Sequence, residues 1–367
     1  MNYFKEFVSN TTAGSGNQFF FDAQPARVGR AFYKINAPGT YEYSFLFSNV
    51  LDSTFQGGQQ GWCNLICRPW TLRSLRVGCC PGERIGSDFM EPEGACAVNE
   101  GLTLQPVTVG GQSSVTVAPG AFLTTDPIPL TFQAGDYLCL ELSYEGPMVP
   151  YHPENLLPLY NLEGESWVYD RQMPVPGMVG CRRAVRGRIA YLGDSITQGI
   201  GCPKNSYLNW CARVAALVGN DYSHWNLGLG YGRALDLASC GAWMYKARQC
   251  DIAVVCYGVN DLRRGRTAQE LGASLERIVE ELQAAGVRVL LQAVPPYPYT
   301  DDQCREWYQV NDYIRQKLAP KVWRFFDQVP LLTQPGNPKP LYGGHPKAMG
   351  CQIWAEGLYN LLKDELE

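Results

Sequence analysis

From about residue 17 to 145 the apolar positions recur every second residue. Tyr41, Tyr43, Phe45 and Phe47 alternate with Thr40, Glu42, Ser44 and Ser48. Leu138, Leu140 and Leu142 alternate with Tyr137, Cys139, Glu141 and Ser143, and Val115 and Val117 with Ser114 and Thr116. A period of two turns one face of a strand to a core and the other to water. Pro119-Gly120 and Ala134-Gly135 punctuate the runs. Short strands at regular intervals, with no long helical pattern, predict an all-β sandwich or jelly roll over residues 1–150. Residues 151–187 are rich in Pro and Gly and predict an irregular connector, with Trp167-Val168-Tyr169 as one short strand.

After Arg188 the period changes. Strand-length apolar runs, Ile189–Leu192, His224–Leu227, Ile252–Tyr257, Val287–Val294 and Val322–Phe326, alternate with helical patterns. Tyr207, Leu208, Cys211, Val214, Ala215 and Val218 recur at spacings of three and four. Thr267-x-x-Glu270 is a capping box and Gly286 a stop signal. One further helix follows Asp301 and Asp302 and carries Trp307, Val310, Ile314 and Leu318. The last follows His345-Pro346 and carries Ile353, Trp354, Leu358 and Leu361. Alternating strands and helices predict an α/β domain over 188–367 with a parallel, doubly wound sheet.

Sites in such sheets form beyond the carboxyl ends of the strands. The first strand is followed by Ser195, the second by Asn226-Leu227-Gly228-Leu229-Gly230-Tyr231-Gly232, the third by Gly258-Val259-Asn260-Asp261, and the fifth by Gly343-Gly344-His345-Pro346. Ser195 reads either as a turn residue capping a helix or as a nucleophile. His345, read singly, is a cap or core residue; with the upstream blocks it becomes a general base. A nucleophile, a glycine turn exposing N–H groups, a side-chain amide and an imidazole are the parts that acyl transfer needs.

This set resembles the SGNH hydrolase family, also called GDSL esterases, over roughly residues 186–367. Gly193-Asp194-Ser195-Ile196-Thr197 corresponds to its first block, Gly258-x-Asn260-Asp261 to its third and Gly344-His345-Pro346 to the end of its fifth. The resemblance implies a flavodoxin-like, three-layer α/β/α domain with Ser195 as nucleophile, His345 as its base, and Asn260, the Ser195 N–H and a second-block N–H as oxyanion donors. Gly230 or Tyr231 would supply that last N–H. Position 342, where the family usually has the Asp that orients the histidine, is Tyr342. A Ser–His dyad, a carboxylate from elsewhere, or a crippled enzyme would each follow from that departure. The position two after Ser195 is Thr197, so the G-x-S-x-G turn of α/β-hydrolases is excluded.

Composition narrows the rest. The net charge is -4 and the basic residues are scattered, so neither a nucleic-acid nor a membrane-surface partner is expected. No run of about 18 apolar residues predicts a membrane span. The first residues lack the basic and apolar segments of a signal peptide, which makes the fourteen cysteines read as reduced cytoplasmic thiols. Cys63, Cys67, Cys79, Cys80 and Cys96 crowd together, but not at paired zinc-knuckle spacing; no metal or other cofactor is expected.

No long apolar lid suited to a fatty chain is evident. Asp194, Tyr231, Tyr342, Trp243 and Tyr297 are the residues assigned to substrate; Trp243, Tyr297 and Trp307 are candidate platforms for a sugar ring, with a place in the core as the commoner role of such rings. Trp62 and Trp70 are further platforms if they are not core. The favoured reading is removal of small acyl groups from an O-acetylated oligosaccharide or another small acyl ester. A lipase or thioesterase on the same fold, and a carbohydrate-binding protein with an inactive hydrolase domain, are the alternatives. A homo-oligomer is compatible with all of them.

Overall fold

The computed structural model of the protein describes residues 3–52, 63–85, 101–152, 154–335 and 337–366. The chain divides into two compact units, one of residues 1–52 with 64–184 and one of residues 53–63 with 185–367.

The described residues of the first unit form an all-β fold apart from short helical turns. Its strands, in chain order, are β1 (Val8–Ser9), β2 (Phe19–Lys34), β3 (Gly39–Ser48), β4 (Trp70–Cys80), β5 (Gln105–Val107), β6 (Val115–Val117), β7 (Phe122–Thr124), β8 (Ile128–Phe132), β9 (Tyr137–Tyr151), β10 (Leu159–Glu163), β11 (Ser166–Tyr169) and β12 (Met178–Cys181). One antiparallel sheet has the order β1-β12-β3-β7, with β8 also on β3; the other runs β11-β10-β2-β9-β4-β5, with β6 on β4. Phe47 of β3 meets Trp70 of β4 edge to face, their rings 6.2 Å apart, so the two inner faces share an aromatic core.

One expectation is corrected here. The segment after residue 150 is not an irregular connector: β10 pairs with β2, and β12 pairs with β1 and β3, completing both sheets. Pro158, Pro174 and Pro176 fall outside these paired stretches, where no ladder donor is lost. Trp70 is fully buried and lines no groove; Trp62 lies outside the described residues. Alternation also fails in the second half of β3, where Ser44 and Ser48 are buried. Ser44 satisfies itself by donating to the Thr125 carbonyl at 2.7 Å, and Ser48 accepts from the Asn17 amide.

Among the described residues, no group of three or more His, Cys, Asp or Glu side chains is placed to hold a metal. Burial pushes the Cys67 thiol up to about 12 and that of Cys80 up to about 11, so both are inert at neutral pH. Cys96 lies outside the described residues.

The second unit holds a five-stranded parallel sheet of β13 (Gly187–Gly193), β14 (Tyr222–Asn226), β15 (Ile252–Cys256), β16 (Arg288–Gln292) and β17 (Arg324–Phe326), in the order β14-β13-β15-β16-β17. That order is flavodoxin-like, and β14 and β15 flank β13 at the point where it reverses. β14 and β15 are buried at every position, as strands covered on both faces must be.

On one face a core forms from Ile189, Tyr191, Ile252, Val254 and Leu290 of the sheet with Trp210, Val214, Trp354 and Leu358 of two helices, Trp210–Val218 and Ala348–Leu366. The Trp210 and Trp354 rings stack 5.2 Å apart between them. The helix Ala268–Ala284 starts at the expected capping box: Thr267 accepts from the Glu270 N–H, and the Glu270 carboxylate accepts from the Thr267 N–H. Tyr207 lies outside its expected helix, at a φ of +54°; Asn209 caps that helix instead, by accepting from the Ala212 N–H. No helix of the described residues is long and apolar enough to cross a membrane.

Candidate active site

Beyond the carboxyl end of β13 the chain turns at once into α1 (Ser195–Gln198). Asp194 caps this single turn by accepting from the Ile196 N–H at 2.9 Å. As the first helical residue, Ser195 has a backbone N–H to which the helix offers no internal acceptor. Its hydroxyl lies 2.8 Å from His345 Nε2, across 150 positions of sequence. Both residues are half-buried, so the pair has a route to solvent.

No carboxylate among the described residues is bonded to the His345 imidazole. Tyr342, at the position expected to carry the orienting acid, packs against the core beneath the last helix. A Cβ on Gly350 would come within 2.8 Å of the Tyr342 Cβ, so the helix takes glycine where the tyrosine crosses it. Packing meets His345 on two sides. The Tyr297 ring stands edge-on to it at 6.1 Å and an interplanar angle of 82°. On the other side, Gly201 passes so close that an added Cβ would lie 2.8 Å from the His345 Cβ.

Cysteine thiols fasten the loops. Cys202 donates to Cys351 at 3.7 Å, and Cys351 donates to the Pro346 carbonyl at 3.1 Å. The chain leaving Ser195 is thereby tied to the chain carrying His345. Burial and then the Arg263 charge lower the pKa of His345, which keeps it neutral and able to accept a proton at pH 7.

The second block is drawn against the first. Asn226 donates to the Thr197 carbonyl at 3.3 Å and accepts from the Gly228 N–H at 2.9 Å; the Leu229 N–H donates to the Gly193 carbonyl at 3.0 Å. The Gly232 N–H donates to the Leu229 carbonyl. Between them stand Gly230, buried, and Tyr231, 37 % exposed at a φ of +58°.

The third block supplies Asn260 from α2 (Val259–Arg263). Its amide donates to the Gly232 carbonyl at 3.1 Å and more loosely to Asp194 at 3.4 Å. Asp261 accepts from the Ala234 N–H and from Arg266, both at 2.9 Å, locking the third block to the helix after the second.

The structure thus brings Ser195, His345 and Asn260 to one sheet edge with the Gly230 turn, and it sets Tyr297 beside them. It withdraws Asp194 and Trp243 as substrate contacts, and Trp307 takes the core role rather than that of a platform. Trp243 is 2 % exposed and donates its indole N–H to the Leu227 carbonyl, so it supports the second block from the core. Trp307 is likewise buried, donating to the Val294 carbonyl. Asp194 is buried with its carboxyl engaged; burial, above all, raises its pKa to about 7. It positions Ser195 and Asn260 and does not face substrate. Sequence reasoning missed Arg263 and Gly201, because neither belongs to a family block and each acts through a neighbour distant in sequence.

Residues 191–353 match the GDSL-like lipase/acylhydrolase family. No curated protein matches the chain. Among solved structures, a family two carbohydrate esterase from Clostridium thermocellum, in complex with cellohexaose, is 15 % identical; the match covers 98 % of this chain and 99 % of that one, with a TM-score of 0.42. A lipolytic protein of the G-D-S-L family from Desulfitobacterium hafniense is 19 % identical, covering 48 % of this chain and 99 % of that one, with a TM-score of 0.40. The acetyl-xylooligosaccharide esterase Axe2 from Geobacillus, as a mutant, is 19 % identical, covering 48 % and 94 %, with a TM-score of 0.38. Residues 191–353, which hold every side chain of the site just described, are a domain of the GDSL-like lipase/acylhydrolase family.

Proposed function

We propose that the protein is a serine esterase that removes small acyl groups, acetyl above all, from O-acylated carbohydrate. The observation that carries the chemistry is the 2.8 Å contact between the Ser195 hydroxyl and His345 Nε2 at a solvent-reaching sheet edge. For His345 to act as base, Nε2 must be bare and the ring proton must sit on Nδ1.

The hydroxyl proton passes to Nε2 as Ser195 Oγ bonds to the ester carbonyl carbon. The oxyanion takes hydrogen bonds from the Ser195 N–H, from Gly230 in the second block and from the Asn260 amide, whose 3.4 Å contact with Asp194 is weak enough to exchange. His345 then protonates the departing alkoxide, and an acyl-serine remains. Water attacks it, giving a proton to His345, and the collapse returns that proton to Ser195 as the acid leaves. In this scheme the enzyme works as a dyad, with Tyr297 and Gly201 holding the imidazole where a carboxylate would otherwise do so.

Tyr297, half-buried beside His345, and Tyr231, exposed in the second block, are the aromatic side chains this reading assigns to the sugar. The test is a series of p-nitrophenyl esters together with acetate release from acetylated oligosaccharides. Acetate should be the best acyl group, and Ser195→Ala should abolish turnover. Preference for octanoate over acetate would overturn the acyl-group assignment in favour of a lipase or thioesterase.

A further inference from the structure

Arg263 is the last residue of α2, three positions after Asn260. Its guanidinium carbon stands 4.9 Å from the centroid of the Tyr297 ring, the same ring that meets His345 edge-on at 6.1 Å. The side chain is therefore laid over one face of the aromatic that flanks the base. Among the described residues its guanidinium makes no hydrogen bond and no ion pair. Its neighbours are answered differently: Arg233 pairs with Asp236 at 2.6 Å and Arg266 with Asp261 at 2.9 Å.

An exposed arginine is ordinarily left to water and carries no message. Here the guanidinium lies over the Tyr297 ring and its N–H groups find no acceptor among the described residues, which leaves them for a carboxylate, the group a guanidinium can meet with two parallel bonds. The position also has a cost: a cation beside His345 disfavours the imidazolium that forms during turnover. An anion bound to Arg263 would cancel that effect while substrate is present.

We propose that Arg263 is a substrate-recognising residue of this site and that the preferred ester carries a carboxylate. The inference rests on the esterase reading above. The carboxylate belongs either to the sugar, as in an O-acetylated uronic acid, or to the acyl group, as in a hemisuccinate, and Arg263 recognises the same chemistry in both.

The test uses the full chain and two substrate pairs: an O-acetylated uronic acid with its methyl ester, and p-nitrophenyl succinate with its methyl ester. In at least one pair the free acid should be hydrolysed with a kcat/KM about tenfold or more above its ester, the usual scale of a charge-assisted hydrogen bond. The pair that shows the preference identifies the source. Arg263→Gln should collapse the preference toward unity, and Arg263→Lys should restore part of it. For the preferred acid, the acid limb of kcat should lie at higher pH than that of kcat/KM, because the bound anion offsets the Arg263 charge acting on His345. Equal rates on acid and ester in both pairs, or a preference that persists in Arg263→Gln, overturn the inference. Ser195-dependent hydrolysis of p-nitrophenyl acetate with no charge preference overturns it alone, whereas no hydrolysis of any ester overturns the esterase reading as well.

Discussion

Replacing Gly201 by alanine tests how His345 is held. The new Cβ would lie 2.8 Å from the His345 Cβ and 3.1 Å from its carbonyl oxygen, where ordinary contact begins at 3.4 Å. Every atom in this clash is main chain or Cβ, so no rotamer relieves it. The two segments must separate by about 0.6 Å to regain the 3.4 Å contact. Gly201 also has a φ of +100°, which costs an L residue about 1–3 kcal/mol. A catalytic group misplaced by about 1 Å loses roughly a hundredfold in rate. Gly201→Ala should therefore lower kcat on p-nitrophenyl acetate by about ten- to a hundredfold, with a smaller change in KM.

Gly219→Ala is the control. Its φ of +85° imposes comparable backbone strain, but nothing lies within 4 Å of the added carbon, and it caps a helix away from the site. It should lose similar stability and keep its kcat. A Gly201→Ala enzyme with wild-type kcat, or two variants that lose activity only in step with stability, would refute packing as the device that orients His345.

Asn260→Ala should lower kcat by about 10²–10³ with little change in KM, the signature of an oxyanion donor, in the same p-nitrophenyl assay. The acid limb of kcat/KM should fall below the ordinary histidine value of 6.5, because burial and the Arg263 charge favour neutral His345; Arg263→Gln should move that limb upward. Asp194 is held at about 7 against an ordinary 3.8, so the native state retains its proton. Its stabilising effect is complete below about pH 4 and is lost as pH rises through 7. Between pH 5 and pH 8 the wild type should lose about 3 kcal/mol relative to Asp194→Asn, measured by chemical denaturation.

The catalytic half was largely legible because its signals are local. The apolar runs at 189, 224, 252, 287 and 322 all overlap observed strands, and the Thr267–Glu270 box marks a true helix start. The blocks containing Ser195 and His345 converge because a parallel sheet puts strand ends on one edge. What remained hidden depends on contacts between distant residues. An aromatic side chain in a sequence does not reveal whether its ring is core or surface, and Trp243 and Trp307 proved to be core once their indole N–H groups found carbonyls. Nothing local distinguishes Arg263 from any exposed arginine until Tyr297 arrives beneath it. Strands β10 and β12 are masked in the sequence by the prolines and glycines between these short paired stretches.

A fluorophosphonate probe applied to the native protein, followed by peptide mass mapping, tests the coupling of hydroxyl and imidazole most directly. One equivalent should attach at Ser195, and the labelling rate should fall by orders of magnitude in His345→Ala. Absence of label at Ser195 in the folded protein, or the same rate without the imidazole, would contradict the account.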